Sequence, residues 1–167
     1  MFVSLDLDMN QKEIDKTIFY EKQQFRQVWI WMILILILLI LLIPIISGVF
    51  GVFLNIIILT IGYCFIWLFY SMKLITEIKK DGIQIIFTPF TNFIIPFNKI
   101  RSYKIREYRP ILEYGGWGIR FNRTGKAYTV SGKIGLQIEL SNGKEILIGT
   151  ENPYKFLQSL NKLSQHL

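Results

Sequence analysis

The sequence predicts a membrane α+β protein: an N-terminal transmembrane helical hairpin, then a small antiparallel β-barrel of about seven strands capped by a C-terminal helix. Three observations carry that expectation. Val28 to Met72 form forty-five consecutive residues without a charged side chain, broken near the middle by Pro44, Ser47, Gly48 and Gly51. After Met72 the apolar residues recur with a period of two between short turn signals, the mark of half-buried strands. From Asn152 onward a helical period takes over.

The hydrocarbon core of a bilayer is ~30 Å thick and a helix rises ~1.5 Å per residue, so one span needs ~20 apolar residues. The uncharged run is long enough for two, Val28 to Ile46 and Val52 to Met72. Pro44 lacks an amide donor and two glycines follow it, so the chain is expected to reverse there rather than continue as one tilted helix. A cleaved signal peptide is not expected, because the run starts late, is too long and follows a mixed-charge segment. Lys12, Lys16, Lys22 and Arg26 precede the first span, Lys73, Lys79 and Lys80 follow the second, and the turn carries no basic residue. That asymmetry predicts a multi-pass protein of the cell membrane with both termini cytoplasmic. Trp29, Trp31, Trp67, Phe69 and Tyr70 then share one interface as an aromatic belt.

Within residues 1–27, Asn10 and Glu13 have capping-box spacing, and Ile14, Ile18, Phe25 and Trp29 approximate one apolar face. Two readings stand here: an amphipathic helix at the membrane surface, or a plain helical extension of the first span. In the second span Asn55 lies near the turn, where its amide is expected to bond turn backbone rather than serve transport.

Residues 73–167 form the remaining domain. Leu74 to Lys79 and Ile83 to Phe87 flank Lys80-Asp81-Gly82, whose Asp-Gly pair reads as the hairpin turn. Phe93 to Ile95 is a short strand stopped by Pro96, and Ile100 to Tyr108 a longer one. Trp117 to Phe121, Tyr128 to Val130, Leu136 to Leu140 and Glu145 to Gly149 complete an antiparallel meander, the last pair joined by Asn142-Gly143. Asn152 suits an N-cap and Pro153 the first helical position, with Phe156, Leu157, Leu160 and Leu163 in one stripe. A meander of this length with one terminal helix matches a pleckstrin-homology-like barrel.

Charge narrows the function. The C-terminal domain holds fifteen Lys or Arg against seven Asp or Glu, a net of +8, whereas residues 1–27 net −1. A basic domain held at a cytoplasmic leaflet faces anionic head groups, worth on the order of 1 kcal/mol per nearby cation. No nucleic-acid-reading motif accompanies that charge, so nucleic acid is not the expected partner. Cys64 is the single cysteine and His166 the single histidine, which leaves no disulfide, no cysteine or histidine metal cluster and no nucleophile–histidine arrangement. Glu107 and Glu113 are the nearest carboxylate pair, but Arg106 and Arg109 beside them point to ion pairs. The Gly-Lys pairs lack the phosphate-loop context. No enzyme activity, cofactor or metal is expected.

Arg120, Arg123 and Lys126 surround Asn122 and Thr124-Gly125 in an expected loop, where three cations can collect phosphate or an acidic partner. Trp117 is the fourth candidate: it plugs the barrel or, if exposed, anchors a lipid or protein. Lys99, Arg101, Lys104, Arg106 and Arg109 form a second basic stretch, read as structural ion pairs.

Several runs carry a family resemblance: Glu21-Lys-Gln-Gln-Phe-Arg-Gln, Arg106-Glu-Tyr-Arg-Pro110, Tyr114-Gly-Gly-Trp-Gly-Ile-Arg120, Ala127-Tyr-Thr-Val-Ser-Gly132, and Leu136-Gln-Ile-Glu-Leu with Ile146-Leu-Ile-Gly-Thr150. Through them the chain resembles small two-span prokaryotic membrane proteins with a C-terminal bacterial pleckstrin-homology-like domain. The resemblance implies fold and topology and names no substrate. The first two strands lack the long basic loop that grips inositol phosphates in eukaryotic relatives of that fold. The expected function is a non-enzymatic, membrane-anchored binding or scaffold protein whose partner is anionic lipid or a protein, a second copy included. The alternative is an accessory subunit of a larger membrane complex such as a transporter.

Overall fold

The computed structural model describes residues 18–164. The chain divides into two compact units, one of Gln24–Met72 and one combining the residues up to Gln23 with those from Lys73 onward.

The first unit is a helical hairpin of α1 (Val28–Ile46) and α2 (Val52–Ser71). Both helices are long and apolar enough to cross a bilayer, and only 6% of each apolar window is buried by protein. Pro44 sits inside the last turn of α1, and the reversal falls later. There the Ser47 amide donates to the Ile43 carbonyl (3.0 Å) and the Val49 amide to that of Pro44 (3.2 Å). A proline near a helix end removes one donor without breaking the carbonyl contacts that follow it. The two helices meet at Gly62, the buried residue of α2, which faces Leu38 and Leu41. The Asn55 amide donates to the Phe50 carbonyl in the turn (3.3 Å), as its position predicts.

The second unit contains nine strands among the described residues. One sheet has the order β1-β2-β3-β4, built from β1 (Phe19–Gln24), β2 (Lys73–Lys79), β3 (Gly82–Thr88) and β4 (Thr91–Pro96). The other has the order β5-β8-β9-β7-β6, from β5 (Ile100–Glu107), β6 (Gly118–Phe121), β7 (Gly125–Thr129), β8 (Ile134–Leu140) and β9 (Glu145–Gly149). Alternation explains the inward faces: Leu74, Thr76 and Ile78 of β2 and Ile83, Ile85 and Phe87 of β3 are buried. Central β9 buries Ile146, Leu147 and Ile148 without alternation. A one-turn helix α3 (Pro110–Tyr114) follows β5, and α4 (Pro153–Ser164) ends the described chain. Phe156 and Leu160 of the α4 stripe are buried, with the Phe156 ring stacked on Phe19 at 4.6 Å.

Four expectations are corrected. No barrel closes: the strands form two sheets, each with two edges, with eight strands after the hairpin where about seven are expected and a ninth, β1, before it. The arrangement is not purely antiparallel, because β7 runs parallel to β9. The β6–β7 hairpin lies between β5 and β8 in sequence but pairs beyond β9, so β7 reaches that edge in the direction of β9. The segment expected as an amphipathic helix is strand β1 over Phe19–Gln24, where Phe19, Glu21 and Gln23 are buried and Tyr20 and Lys22 exposed. Its period is two, and pairing with β2 outweighs weak helical spacing. Asn10, Glu13 and Ile14 lie outside the described residues, as does His166. Finally, Lys80 and Asp81 alone make the β2–β3 turn, since Lys79 pairs with Gly82. Gly82 instead serves close approach: a Cβ there would overlap the Ile95 carbonyl on β4.

Candidate functional site

Two polar knots account for most of the runs that carry the resemblance. In the first, the Glu21 side chain on β1 is 7% exposed and accepts four hydrogen bonds. The Thr150 hydroxyl (2.7 Å) and the Asn152 amide (3.4 Å) donate to Oε2, while the Glu151 backbone N–H (2.9 Å) and the Gln23 amide donate to Oε1. The Gln23 amide also reaches the Gly149 carbonyl at 2.8 Å. A buried carboxylate is tolerated only with such a full set of donors. Asn152 thus turns its side chain toward Glu21, while its carbonyl receives the Phe156 amide of α4 at 3.0 Å.

In the second knot, the β7–β8 connection supplies three successive carbonyls. The Tyr108 hydroxyl donates to Ser131 (3.4 Å), the Trp117 ring N–H to Gly132 (3.1 Å) and the Tyr108 amide to Lys133 (2.7 Å). Tyr108 packs edge-on against Tyr114 at 6.1 Å, in a cluster with Ala127 and Leu147. Burial pushes the Tyr108 phenol up to about 12, and the nearby Thr129 hydroxyl offsets only part of that rise. Trp117 is half-buried at the rim of this knot, neither a core plug nor a free anchor.

Sequence reasoning missed α3. Its signal was present: Pro110 at the first helical position and Gly115 past the end, where φ is +69°. Glu113 closes the turn, accepting the Arg109 backbone N–H at 2.8 Å and pairing with Arg106. With Arg101–Glu139 at 3.1 Å, that pair gives two of the five cations in the second basic stretch a carboxylate partner. Glu107 makes no ion pair among the described residues. Ile111 and Leu112 on α3 are 68% and 77% exposed, beside an open cleft lined by Tyr108, Arg109, Pro110, Trp117 and Lys133.

The candidate cations do not form one cluster. Arg120 opposes buried Ala127 on the ribbon, and its Nε donates back to the Trp117 carbonyl at 3.1 Å. Lys126 opposes Phe121 on the other face, its ammonium 5.2 Å from the ring centre. Arg123 is exposed in the turn, where the Asn122 side chain accepts the amides of Thr124 (3.0 Å) and Gly125 (2.7 Å). None of the three makes an ion pair among the described residues. Phe121 is 68% exposed, so the tip of the β6–β7 hairpin presents an aromatic ring beside two cations without an ion-pair partner among the described residues. No group of His, Cys, Asp or Glu among the described residues has a metal-binding arrangement.

No curated protein and no solved structure matches the chain at a significant level. One family model matches residues 8–164, across both the apolar hairpin and the β-unit. By that match the chain belongs to the family of unknown function designated DUF6141.

Proposed function

We propose that this chain is an integral membrane protein whose hairpin holds a basic, pleckstrin-homology-like β-domain at the cytoplasmic face, where it binds anionic lipid head groups without catalysis. The sheet–sheet–helix order supports that domain type in an unclosed form. One observation carries the topology: β1 precedes α1, β2 follows α2, and the two strands are neighbours in one sheet. Paired strands must lie on one side of a bilayer, so the chain between them crosses an even number of times. The flanking lysines and arginines favour the cytoplasmic side.

The β6–β7 tip is the contact surface that fits an anionic interface, with Phe121 to enter the head-group layer and Arg123 and Lys126 to meet phosphate. Full-length protein in nanodiscs of phosphatidylcholine, with and without phosphatidylglycerol, tests this by hydrogen exchange over residues 120–126. Protection should require the anionic lipid, fall with salt, and disappear in the Arg123→Gln/Lys126→Gln variant, a loss of about 2 kcal/mol for two cations. Equal protection in both lipids would refute the assignment.

A second reading, an accessory subunit of a larger membrane complex, draws on α3. Adjacent, exposed Ile111 and Leu112 beside Trp117 have the composition of a protein-contact core. Mild detergent extraction should then yield a particle larger than this chain, and a strictly monomeric species counts against it.

A further inference from the structure

A helix that meets only lipid on its outer side should be apolar there, and α1 conforms: between its opening tryptophans and Ile46 it has no polar side chain. By contrast α2 carries, beyond Asn55 that bonds the turn, Thr60, Tyr63, Cys64, Trp67, Tyr70 and Ser71. At 3.6 residues per turn these six fall within an arc of roughly 120°, and Gly62, the contact with α1, lies nearly opposite. All but the half-buried Ser71 are exposed, Tyr63 at 68% and Tyr70 at 72%. The hairpin therefore turns its polar stripe away from its own partner helix.

Trp67, Tyr70 and Ser71 sit near the helix end, where an interfacial belt explains them. Tyr63 is not so placed. Its Cα lies ~12 Å along the axis from Ser71 and ~16 Å from Val52, close to mid-helix. Side chains lean toward the helix N-terminus, so its phenol is carried toward the bilayer middle and not back to the nearer interface. The hydroxyl has no partner among the described residues. One turn further in, the Thr60 hydroxyl donates to the Ile56 carbonyl (2.8 Å), which leaves its oxygen lone pairs able to accept.

We propose that this face of α2 packs in parallel against the same face of α2 in a second copy of the chain, each Tyr63 hydroxyl donating to Thr60 of the other copy. The inference rests on the membrane reading above. A second copy is the occupant that the stripe describes, because an isologous contact needs donor and acceptor on one patch. Here they stand one turn apart, and the lean of Tyr63 brings its hydroxyl to the depth of Thr60, where two parallel copies coincide. Small Cys64 and Thr60 permit the close approach that helix pairs in lipid require.

Cys64, the single cysteine of the chain, makes the test direct. Full-length protein in native membranes, oxidised with copper–phenanthroline, should form a covalent dimer through Cys64. Moving the thiol off the stripe, in the Cys64→Ser/Ile61→Cys variant, should abolish it, since Ile61 is exposed on a different face. Tyr63→Phe should lower the dimer fraction at limiting protein-to-lipid ratio, equivalent to a threefold to tenfold weaker association, roughly the range for two intramembrane hydrogen bonds. Equal crosslinking from position 61, crosslinking only to a different protein, or none while the chain resists alkaline extraction would each overturn the dimer. Release of the chain by alkali would overturn the membrane reading, and the dimer with it.

Discussion

Glu21 offers the sharpest test of how the β-domain is held together. Its carboxylate takes donors from Thr150, Glu151, Asn152 and Gln23, and it lies 129 residues before Thr150 in sequence. Hydrogen bonds to a charged group are worth about 1.5–3 kcal/mol, and truncation leaves their buried donors unsatisfied. Glu21→Ala removes the whole acceptor set, for a loss of about 3–5 kcal/mol, at roughly 1–3 kcal/mol for each fully buried donor left unpaired. Glu21→Gln keeps one oxygen for two of the four donors and turns an amide toward the other two, so about half that loss is expected. Hydrogen exchange of the full chain in nanodiscs reads the effect as local opening. Amides of β1 and of residues 149–152 should exchange roughly a hundredfold to several thousandfold faster in Glu21→Ala, from that energy at about 1.4 kcal/mol per decade. Lys22→Ala, at the neighbouring exposed position, should leave them unchanged. Protection in Glu21→Ala within threefold of the parent would refute the idea that this carboxylate locks β1 into the domain.

Two further expectations follow from the same scaffold. Gly82→Ala places a methyl group against the Ile95 carbonyl and the Pro96 Cα, so the thermal midpoint should fall by the equivalent of about 1–3 kcal/mol, with β4 amides the first to lose protection; an unchanged midpoint would show that β3 and β4 can separate freely. The Tyr108 phenol is raised to about 12 in the folded domain from an ordinary value near 10. The native state favours the protonated form, so its contribution is fully present below pH 10 and is lost as pH rises from 10 to 12. The loss is on the order of 2–3 kcal/mol, and Tyr108→Phe should flatten alkaline denaturation in that window. Burial raises Tyr128 in the same direction, so some alkaline sensitivity should persist in that variant.

Much of this fold is legible in the residues because its strongest signals are local. Uninterrupted hydropathy places α1 at Val28–Ile46 and α2 at Val52–Ser71, within one residue of the expected spans. Alternation and turn chemistry find β2, β3, β8 and β9 with small end errors. What escapes is non-local. Nothing within Phe19–Gln24 announces that its partner is β2, beyond the entire hairpin in sequence, and a six-residue alternation next to a long apolar run reads as part of that run. The parallel β7–β9 pair is hidden for the same reason, since sequence neighbours suggest a meander. At the candidate site, composition identifies Arg120, Arg123 and Lys126 as a group, but the two-residue period sends Arg120 to one face and Lys126 to the other. Exposed Phe121 has no distinguishing signal, because a strand-end aromatic ordinarily marks core.

The placement of β1 also sets an order of events during synthesis. Glu21 leaves the ribosome before either apolar helix, yet Thr150 and Asn152, which complete its bonds, come after both. At about 5–20 residues per second, the 129 residues between Glu21 and Thr150 take roughly 6–26 s to make. During that interval the hairpin can enter the bilayer while the first strand waits without its sheet. On the membrane reading proposed above, insertion precedes domain closure, and a fragment beginning at Lys73 would be born without the strand that finishes it. On that reading the hairpin and the domain are one unit of biogenesis.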